Sequence, residues 1–310
     1  MGRLVEGIWT DEVYDAQSSG GRFIREDAGF RDRVTADGSS GFKAEPGRYH
    51  LYVSWGCPWA HRTLIYRALK QLEEVISVSV LDWYLGANGW EFRERDGATG
   101  DKINGKRYLH EVYTLASPQY TGRVTVPVLW DTRKATIVNN ESADIIRMLN
   151  TEFDAWGRAD LDLYPAPLRP EIDRLNDRIY RTVNNGVYKA GFATGQKAYE
   201  QAYEALFATL DELEQRLGEQ RFLVGDAPTE ADWRLFPTLI RFDPVYHGHF
   251  KCNRQRLAEF PNLSRLLRDL YHVPGVAETV DFHHIKHHYY VSHSHINPTG
   301  IVPAGPRMSL

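Results

Sequence analysis

The sequence predicts an α/β N-terminal domain followed by an all-helical domain. The first half of the chain alternates short β-branched and aromatic runs with helical stretches. The second half, from about residue 169, carries apolar residues at helical spacing and little strand pattern. Between the two halves, residues 153–168 form a polar, proline-containing stretch that is typical of a domain boundary.

The composition argues against several classes of function. The 310 residues carry a formal net charge of −4, so there is no basic field for nucleic acid. No stretch approaches the roughly 20 apolar residues that cross a membrane, and the first ten residues lack the apolar segment of a secretory signal. Cys57 and Cys252 are the two cysteines, which favours a reducing, cytoplasmic compartment without a disulfide framework.

Residues 1–46 show no sustained periodicity. Two interpretations of this N-terminal extension stay open, an irregular segment that wraps the body of the protein and a partly disordered leader.

A strand, a turn and a helix form the central unit of the first half. Residues 49–53 are typical of a strand, and residues 58–74 carry apolar side chains at helical spacing. Pro58 suits the first helical position. Cys57 would therefore stand at the helix N-terminus, where unpaired backbone N–H groups and the helix dipole stabilise a thiolate nucleophile. The alternative is an inert, buried cysteine.

Ala60 occupies the position that a second sulfur would take in a Cys-x-x-Cys redox motif. Cys57 therefore cannot close a disulfide within this motif. An adduct on Cys57 has to be removed by an external thiol, for which glutathione is the small cellular candidate.

The remaining pattern of the first half indicates a thioredoxin-like order of elements. A second strand, a long insertion, a strand that contains Pro127, a partner strand and a helix follow one another at 76–81, 85–120, 125–130, 136–138 and 140–149.

The second half reads as a series of helices. The apolar spacing predicts them at 171–183, 198–217, 233–242 and 257–271, with a capping signal at 229–232. The tail from residue 272 is rich in His, Pro and Gly. His283 and His287 have the i, i+4 spacing of metal ligands, but no further ligand pattern accompanies them, so we expect no metal.

Three stretches resemble the glutathionyl-hydroquinone reductases, also called Xi-class glutathione transferases. They read SWGCPWAHR at 54–62, YTGRVTVPVL at 120–129 and IVNNES at 137–142. The resemblance covers nearly the whole chain. It implies a thioredoxin-like, glutathione-binding N-terminal domain at 47–152, after the extension 1–46. The linker 153–168 would lead to a helical-bundle glutathione-transferase C-terminal domain at 169–310.

The resemblance also implies a reaction and an assembly. Cys57 would take glutathione from a glutathionyl-hydroquinone as a mixed disulfide, and a second glutathione would release oxidised glutathione. Glutathione would be the co-substrate, and the protein would be a homodimer.

The resemblance implies a set of glutathione-binding residues. They are Trp90, Arg123, Val124, Thr125, Val126, Glu141 and Ser142. In this family the Pro after Val126 is cis, which turns the Val backbone toward the cysteinyl part of glutathione. Simpler roles are packing for Trp90, solvation for Arg123, a plain edge strand at Val126 and helix capping for Glu141 and Ser142.

Three tyrosines match the aromatic site of the family. The resemblance implies that Tyr188 protonates the leaving ring carbon, while Tyr246 and Tyr289 hydrogen-bond the substrate hydroxyls. Tyr290 is an adjacent alternative to Tyr289, and ordinary packing is the simpler interpretation of each.

Two other functions compete with this one. The first is an Omega-like cysteine transferase with thioltransferase or dehydroascorbate reductase activity, which shares the Cys-Pro-x-Ala pattern. The second is a non-catalytic protein of the same fold, against which the retention of Cys57, Glu141 and Ser142 argues.

Overall fold

The computed structural model describes residues 2–11 and 19–310, which fall into two units. Unit 1 contains residues 2–11, Glu26–Asp162 and Glu278–His293. Unit 2 contains residues 19–25, Leu163–Ala277 and Ser294–Leu310. Each unit therefore combines segments that lie far apart in the sequence.

Unit 1 is an α/β unit. Its strands are β1 (Arg3–Val5), β2 (Ile8–Thr10), β3 (Tyr49–Val53), β4 (Ser77–Val80), β5 (Leu85–Gly86), β6 (Gly89–Trp90), β7 (Gly122–Arg123), β8 (Val128–Asp131) and β9 (Thr136–Asn139). Its helices are α1 (Pro58–Leu69), α2 (Leu109–Ala116), α3 (Ser142–Thr151) and the C-terminal α9 (Phe282–Ser292).

The central sheet has the strand order β4-β3-β8-β9. β3 and β4 are parallel and are joined through α1, while β8 pairs antiparallel with β3 and β9. Every residue of β3 is buried. The thioredoxin-like order predicted from the sequence is thus confirmed, together with the strand at 49–53.

Helix α1 ends earlier than the predicted residue 74, at Leu69. Gln71 adopts a left-handed conformation with φ 55°. Its N–H donates to Ala68 O, and the N–H of Leu72 donates to Arg67 O at 2.8 Å. This pair of bonds is a Schellman cap. Because no glycine stands at position 71, the sequence carried no signal for this stop.

The N-terminal extension is ordered where the structure describes it in unit 1. β1 pairs antiparallel with both β2 and β7, so residues 2–11 form an added sheet. This supports the interpretation of a wrapping segment for these residues. The part of that prediction at 12–18 lies outside the described residues.

Unit 2 is helical. Its helices are α4 (Arg169–Ile179), α5 (Gly186–Gly191), α6 (Gln196–Glu219), α7 (Glu230–Arg241) and α8 (Pro261–Tyr271), with π-helical turns at Tyr180–Asn184 and Phe242–Tyr246. Large apolar side chains form its core, among them Ile179, Leu206, Leu210, Phe236 and Leu266. The helical half predicted from the sequence is confirmed. The helix predicted at 257–271 is a 3₁₀ turn at Leu257–Glu259 followed by α8, because Pro261 starts a new helix at its first position.

The tail forms a helix that the sequence prediction did not assign. α9 begins after Asp281, whose side chain accepts a hydrogen bond from the backbone N–H of His284 at 2.9 Å. Its buried face includes Ile285 and Tyr289, and it belongs to unit 1. Across the described ranges, we find no helix with the length and apolarity to span a membrane.

Candidate active site

Cys57 is the N-cap residue of α1. Its backbone is extended, with φ −80° and ψ 122°, and Pro58 takes the first helical position as predicted. Cys57 is 7% exposed, so the residue lies at the edge of the buried interior. The turn before it is held by Ser54, whose carbonyl accepts from the Cys57 N–H at 3.1 Å. This placement directs the first-turn N–H groups and the dipole of α1 toward the sulfur.

The segment that faces Cys57 contains the cis peptide bond Val126–Pro127. The cis prediction is confirmed. Cys57 Sγ lies 3.6 Å from Val126 O, so the sulfur contacts the backbone for which the family resemblance implies glutathione binding. The ordered strand β8 begins only at Val128, one residue after the proline, because proline has no N–H to pair.

Tyr113 and Asn140 fix this segment, and the sequence analysis did not identify them. The hydroxyl of Tyr113 donates to Thr125 O at 2.8 Å and accepts from the Thr125 N–H at 3.2 Å. Asn140 Nδ2 donates to the same hydroxyl at 2.9 Å. Val124 beside Thr125 is buried. Asn140 stands in the IVNNES stretch, which is the one sequence signal that pointed to this support.

Glu141 and Ser142 lie at the N-terminus of α3, as the sequence predicted. Glu141 is the N-cap, and its Oε1 accepts from the Ala143 N–H at 3.0 Å. Ser142 Oγ is 3.3 Å from Nη1 of the buried Arg62 in α1. The predicted capping role is therefore present for Glu141, and Arg62 adds a positive charge to a helix N-terminus that already favours anions.

Trp90 ends the β5–β6 hairpin of the insertion. Its indole is 7% exposed and stacks on the imidazole of His288 in α9, with ring centroids 5.0 Å apart and planes inclined by 18°. Arg123 lies in β7, where Nη1 is 3.4 Å from Gly2 O and Nε is 3.4 Å from Glu26 Oε1. Arg123 thus has partners within unit 1.

The three predicted tyrosines fall in different units. Tyr289 is fully buried in α9 of unit 1, and the neighbouring Tyr290 is 9% exposed, with burial raising the pKa of its phenol. In unit 2, the rings of Tyr188 and Tyr246 are 6.1 Å apart. The guanidinium carbon of Arg25 lies 5.0 Å from the centroid of the Tyr188 ring, and Arg25 Nε donates to Asn185 Oδ1 at 2.7 Å.

Unit 1 therefore joins several predicted residues through short contacts. Cys57 touches Val126, and Ser142 connects to the Cys57 helix through Arg62. The described residues contain no group of three or more His, Cys, Asp or Glu side chains arranged to hold a metal ion. Cys252 lies in unit 2, is fully buried, and has a thiol pKa that burial raises strongly.

Comparison with known proteins gives the family. The model of the glutathione S-transferase N-terminal domain matches residues 56–152, and that of the C-terminal domain matches residues 196–269. The glutathionyl-hydroquinone reductase PcpF of Sphingobium chlorophenolicum is 57% identical over 310 residues, covering 100% of this chain and 98% of PcpF. This chain belongs to the glutathionyl-hydroquinone reductase family, the Xi-class glutathione transferases.

Solved structures of Xi-class glutathione transferases and their homologues share this fold over almost the entire chain. The Xi-class enzyme of Natrialba magadii has a TM-score of 0.93 and 49% identity, covering 100% of this chain and 94% of its own. The glutathione-bound YqjG of Escherichia coli K-12 has a TM-score of 0.92 and 52% identity, covering 99% and 96%. The predicted fold class, a thioredoxin-like half followed by a helical glutathione-transferase half, is thereby confirmed.

Proposed function

We propose that this Xi-class glutathione transferase reduces glutathionyl-hydroquinones to hydroquinones at the expense of glutathione. The observation that carries the proposal is Cys57 at the N-terminus of α1, against the cis Val126–Pro127 segment and with Ala60 in place of a second cysteine. Relatives with the reductase name match this chain from end to end, so the reaction in their name is the one to test.

The proposed reaction has two steps. In the first, the Cys57 thiolate attacks the sulfur of the conjugate, and the carbon–sulfur bond breaks with its electron pair left on the ring carbon. A proton adds to that carbon, which gives the hydroquinone and a Cys57–glutathione disulfide. In the second, a glutathione thiolate attacks this disulfide, which restores the Cys57 thiolate and forms oxidised glutathione. Over the whole cycle, the thiol of this second glutathione replaces the proton that the direct donor gives to the ring carbon.

We assign glutathione binding to the residues of unit 1 that the resemblance selects. Glu141 would meet the γ-glutamyl ammonium, and Ser142 at the N-terminus of α3 would hold its carboxylate. Val126 would bind the cysteinyl part through its backbone. Trp90, Arg123, Val124 and Thr125 would complete the site. For Arg123 this requires exchange of its bond to Glu26 for one to a glutathione carboxylate.

We assign the proton to Tyr188, with Tyr246 and Tyr289 as hydrogen-bond partners of the substrate hydroxyls. The position of Arg25 over the Tyr188 ring supports this assignment, because a cation at the ring face helps to hold the phenol in place.

The proposal extends to the setting of the enzyme. Two cysteines that are not joined in a disulfide and the consumption of reduced glutathione fit the cytoplasm. We further propose a homodimer, a glutathione-binding domain at 47–152 and a helical domain at 169–310, as the family resemblance implies.

The deciding experiment measures hydroquinone release from a glutathionyl-hydroquinone in the presence of glutathione. Wild type, Cys57→Ser and Cys252→Ala are compared, and Cys252 is the matched control because it is buried in unit 2. We expect turnover by wild type and Cys252→Ala and its loss in Cys57→Ser. We also expect mass spectrometry to show one glutathione on Cys57 after substrate is added without free glutathione.

No turnover by a folded wild-type protein would reject the reductase proposal. Dehydroascorbate and mixed-disulfide substrates would then test the Omega-like alternative. If Cys57→Ser retained full glutathione binding and no variant had any activity, the protein would be a glutathione-binding module.

A further inference from the structure

The His-rich tail is the sequence feature that the proposed reaction does not use. His283 and His287 in α9 lie side by side with partly exposed rings, their centroids 3.8 Å apart. His284 and His288, on the same helix, are buried. The buried pair faces the segment that carries Trp90, so the tail has a partner within unit 1.

His288 has a defined tautomer. Its Nδ1 lies 2.9 Å from the backbone oxygen of Trp83. A carbonyl oxygen can only accept, so Nδ1 carries the hydrogen. This bond fixes the ring plane, and the same ring stacks almost parallel on the Trp90 indole at 5.0 Å.

His288 also touches the turn that precedes the nucleophile. A Cβ added to Gly56 would lie 2.6 Å from His288 Cβ and 2.8 Å from His288 Cγ. Only glycine therefore permits the backbone next to Cys57 to approach α9 this closely. One imidazole thus contacts both the Cys57 turn and the face of Trp90.

Helix α9 is itself anchored on both sides of this contact. His284 Nε2 lies 2.5 Å from Asp96 O, and the Leu85 N–H donates to Ser292 Oγ at 3.0 Å. On the other side, His61 Nε2 in α1 lies 2.8 Å from Thr279 Oγ1, just before α9. The helix cannot shift along the insertion without breaking these bonds.

We propose that His288 is a positioning residue that holds the Trp90 indole and the Cys57 turn in the geometry that glutathione requires. The inference rests on the proposed contact of Trp90 with glutathione. The C-terminal helix thereby acts on glutathione binding through one buried ring.

The test separates ring stacking from hydrogen bonding. His288→Phe keeps an aromatic ring against Trp90 and removes the bond to Trp83 O. His288→Asn keeps a donor and removes the ring, and His288→Ala removes both. His287→Ala is the matched control, because His287 is a neighbour on α9 that does not stack on Trp90. Glutathione affinity is measured calorimetrically in a Cys57→Ser background, which excludes chemistry from the signal.

We expect His288→Ala to weaken glutathione binding about tenfold, since it loses a stacked pair and a hydrogen bond. His288→Phe should recover most of the affinity, His288→Asn less, and His287→Ala should equal the parent. When His288→Ala is made in the enzyme that retains Cys57, the KM for glutathione should rise by a larger factor than kcat falls. A uniform loss of stability would not produce this order.

Equal affinities for the Phe, Asn and parent proteins would overturn the proposal, even if His288→Ala failed to fold. The readout is independent of the reductase reaction. A wild-type protein that binds glutathione but releases no hydroquinone would reject the proposed function and leave the role of His288 to be decided by the same affinities.

Discussion

At the scale of single residues, burial of the His50 imidazole makes the free energy of unfolding depend on pH. His50 lies in β3 with no exposed surface, and its Nδ1 is 2.7 Å from Ser77 Oγ. Its Nε2 has no hydrogen-bond partner among the residues that the structure describes. Burial lowers the pKa of His50 to about 4, although the nearby Asp101 acts in the opposite direction.

The depressed pKa predicts a loss of stability in mild acid. In the unfolded chain, the His50 imidazole binds a proton near pH 6.5, whereas in the folded protein it stays neutral down to about pH 4. The contribution of neutral His50 to the free energy of unfolding is therefore complete above pH 6.5 and declines as the pH falls toward 4. The upper limit is about 3 kcal/mol. We expect the free energy of unfolding, measured with urea between pH 6.5 and 4, to depend less on pH for His50→Asn than for wild type. His272→Asn, at an exposed site, should follow wild type. If the free energy of unfolding changed with pH in the same way for His50→Asn and wild type, the lowered pKa of His50 would be contradicted.

At the scale of elements, the capping signal at 229–232 behaves as the sequence predicted. Asp232 Oδ2 accepts from the Thr229 N–H at 2.9 Å, and Oδ1 accepts from the Leu223 N–H at 2.9 Å. The carboxyl group is fully buried. It therefore satisfies the start of α7 and also ties the preceding loop to it.

Removing this carboxyl group should destabilise unit 2 strongly. Asp232→Ala leaves two buried N–H groups without acceptors, which costs about 3 kcal/mol. We expect a lower urea midpoint for Asp232→Ala and a smaller change for Asp232→Asn, which keeps one acceptor. Glu204→Ala, at an exposed position of α6, is the control and should stay within about 0.5 kcal/mol of wild type. A midpoint equal to that control would show that Asp232 is not a cap.

The elements also show where sequence reasoning succeeds and where it stops. The turn around Cys57 was predictable because a strand pattern, Pro58 and helical spacing are all local signals. The Schellman cap at Gln71 was not, because its left-handed backbone has no glycine to announce it. Tyr113 and His288 were missed because they act through contacts with Thr125 and Trp90, which are distant in sequence.

At the scale of the whole molecule, unit 1 is built from segments that lie far apart in the chain. Residues 278–293 return to unit 1 after the helices of unit 2, and residues 294–310 belong to unit 2 again. α9 brings the buried side chains of Ile285 and Tyr289 to unit 1. Burial of a side chain such as Ile285 contributes roughly 1.5–3 kcal/mol, so we expect the returning segment to stabilise unit 1.

Two truncations test this arrangement in an otherwise intact chain. A protein that ends at His293 keeps α9, and one that ends at Ala277 lacks it. We expect the first to show a rise in Tm when glutathione is added, as wild type should. The second should melt at a lower temperature and lose most of that rise, because Trp90 and Gly56 lose their contact with His288. An equal glutathione response in both truncations would assign α9 to stability alone.

We expect the unequal burial of the two cysteines to make the native protein react with covalent probes at Cys57 rather than at Cys252. Cys252 has no exposed surface and a thiol that burial keeps protonated, whereas Cys57 retains 7% exposure at a helix N-terminus. A maleimide dye or a fluorine label should therefore enter at one position without any prior mutation. Spectroscopy of the labelled native sequence can thus report on the surroundings of Cys57 at the N-terminus of α1.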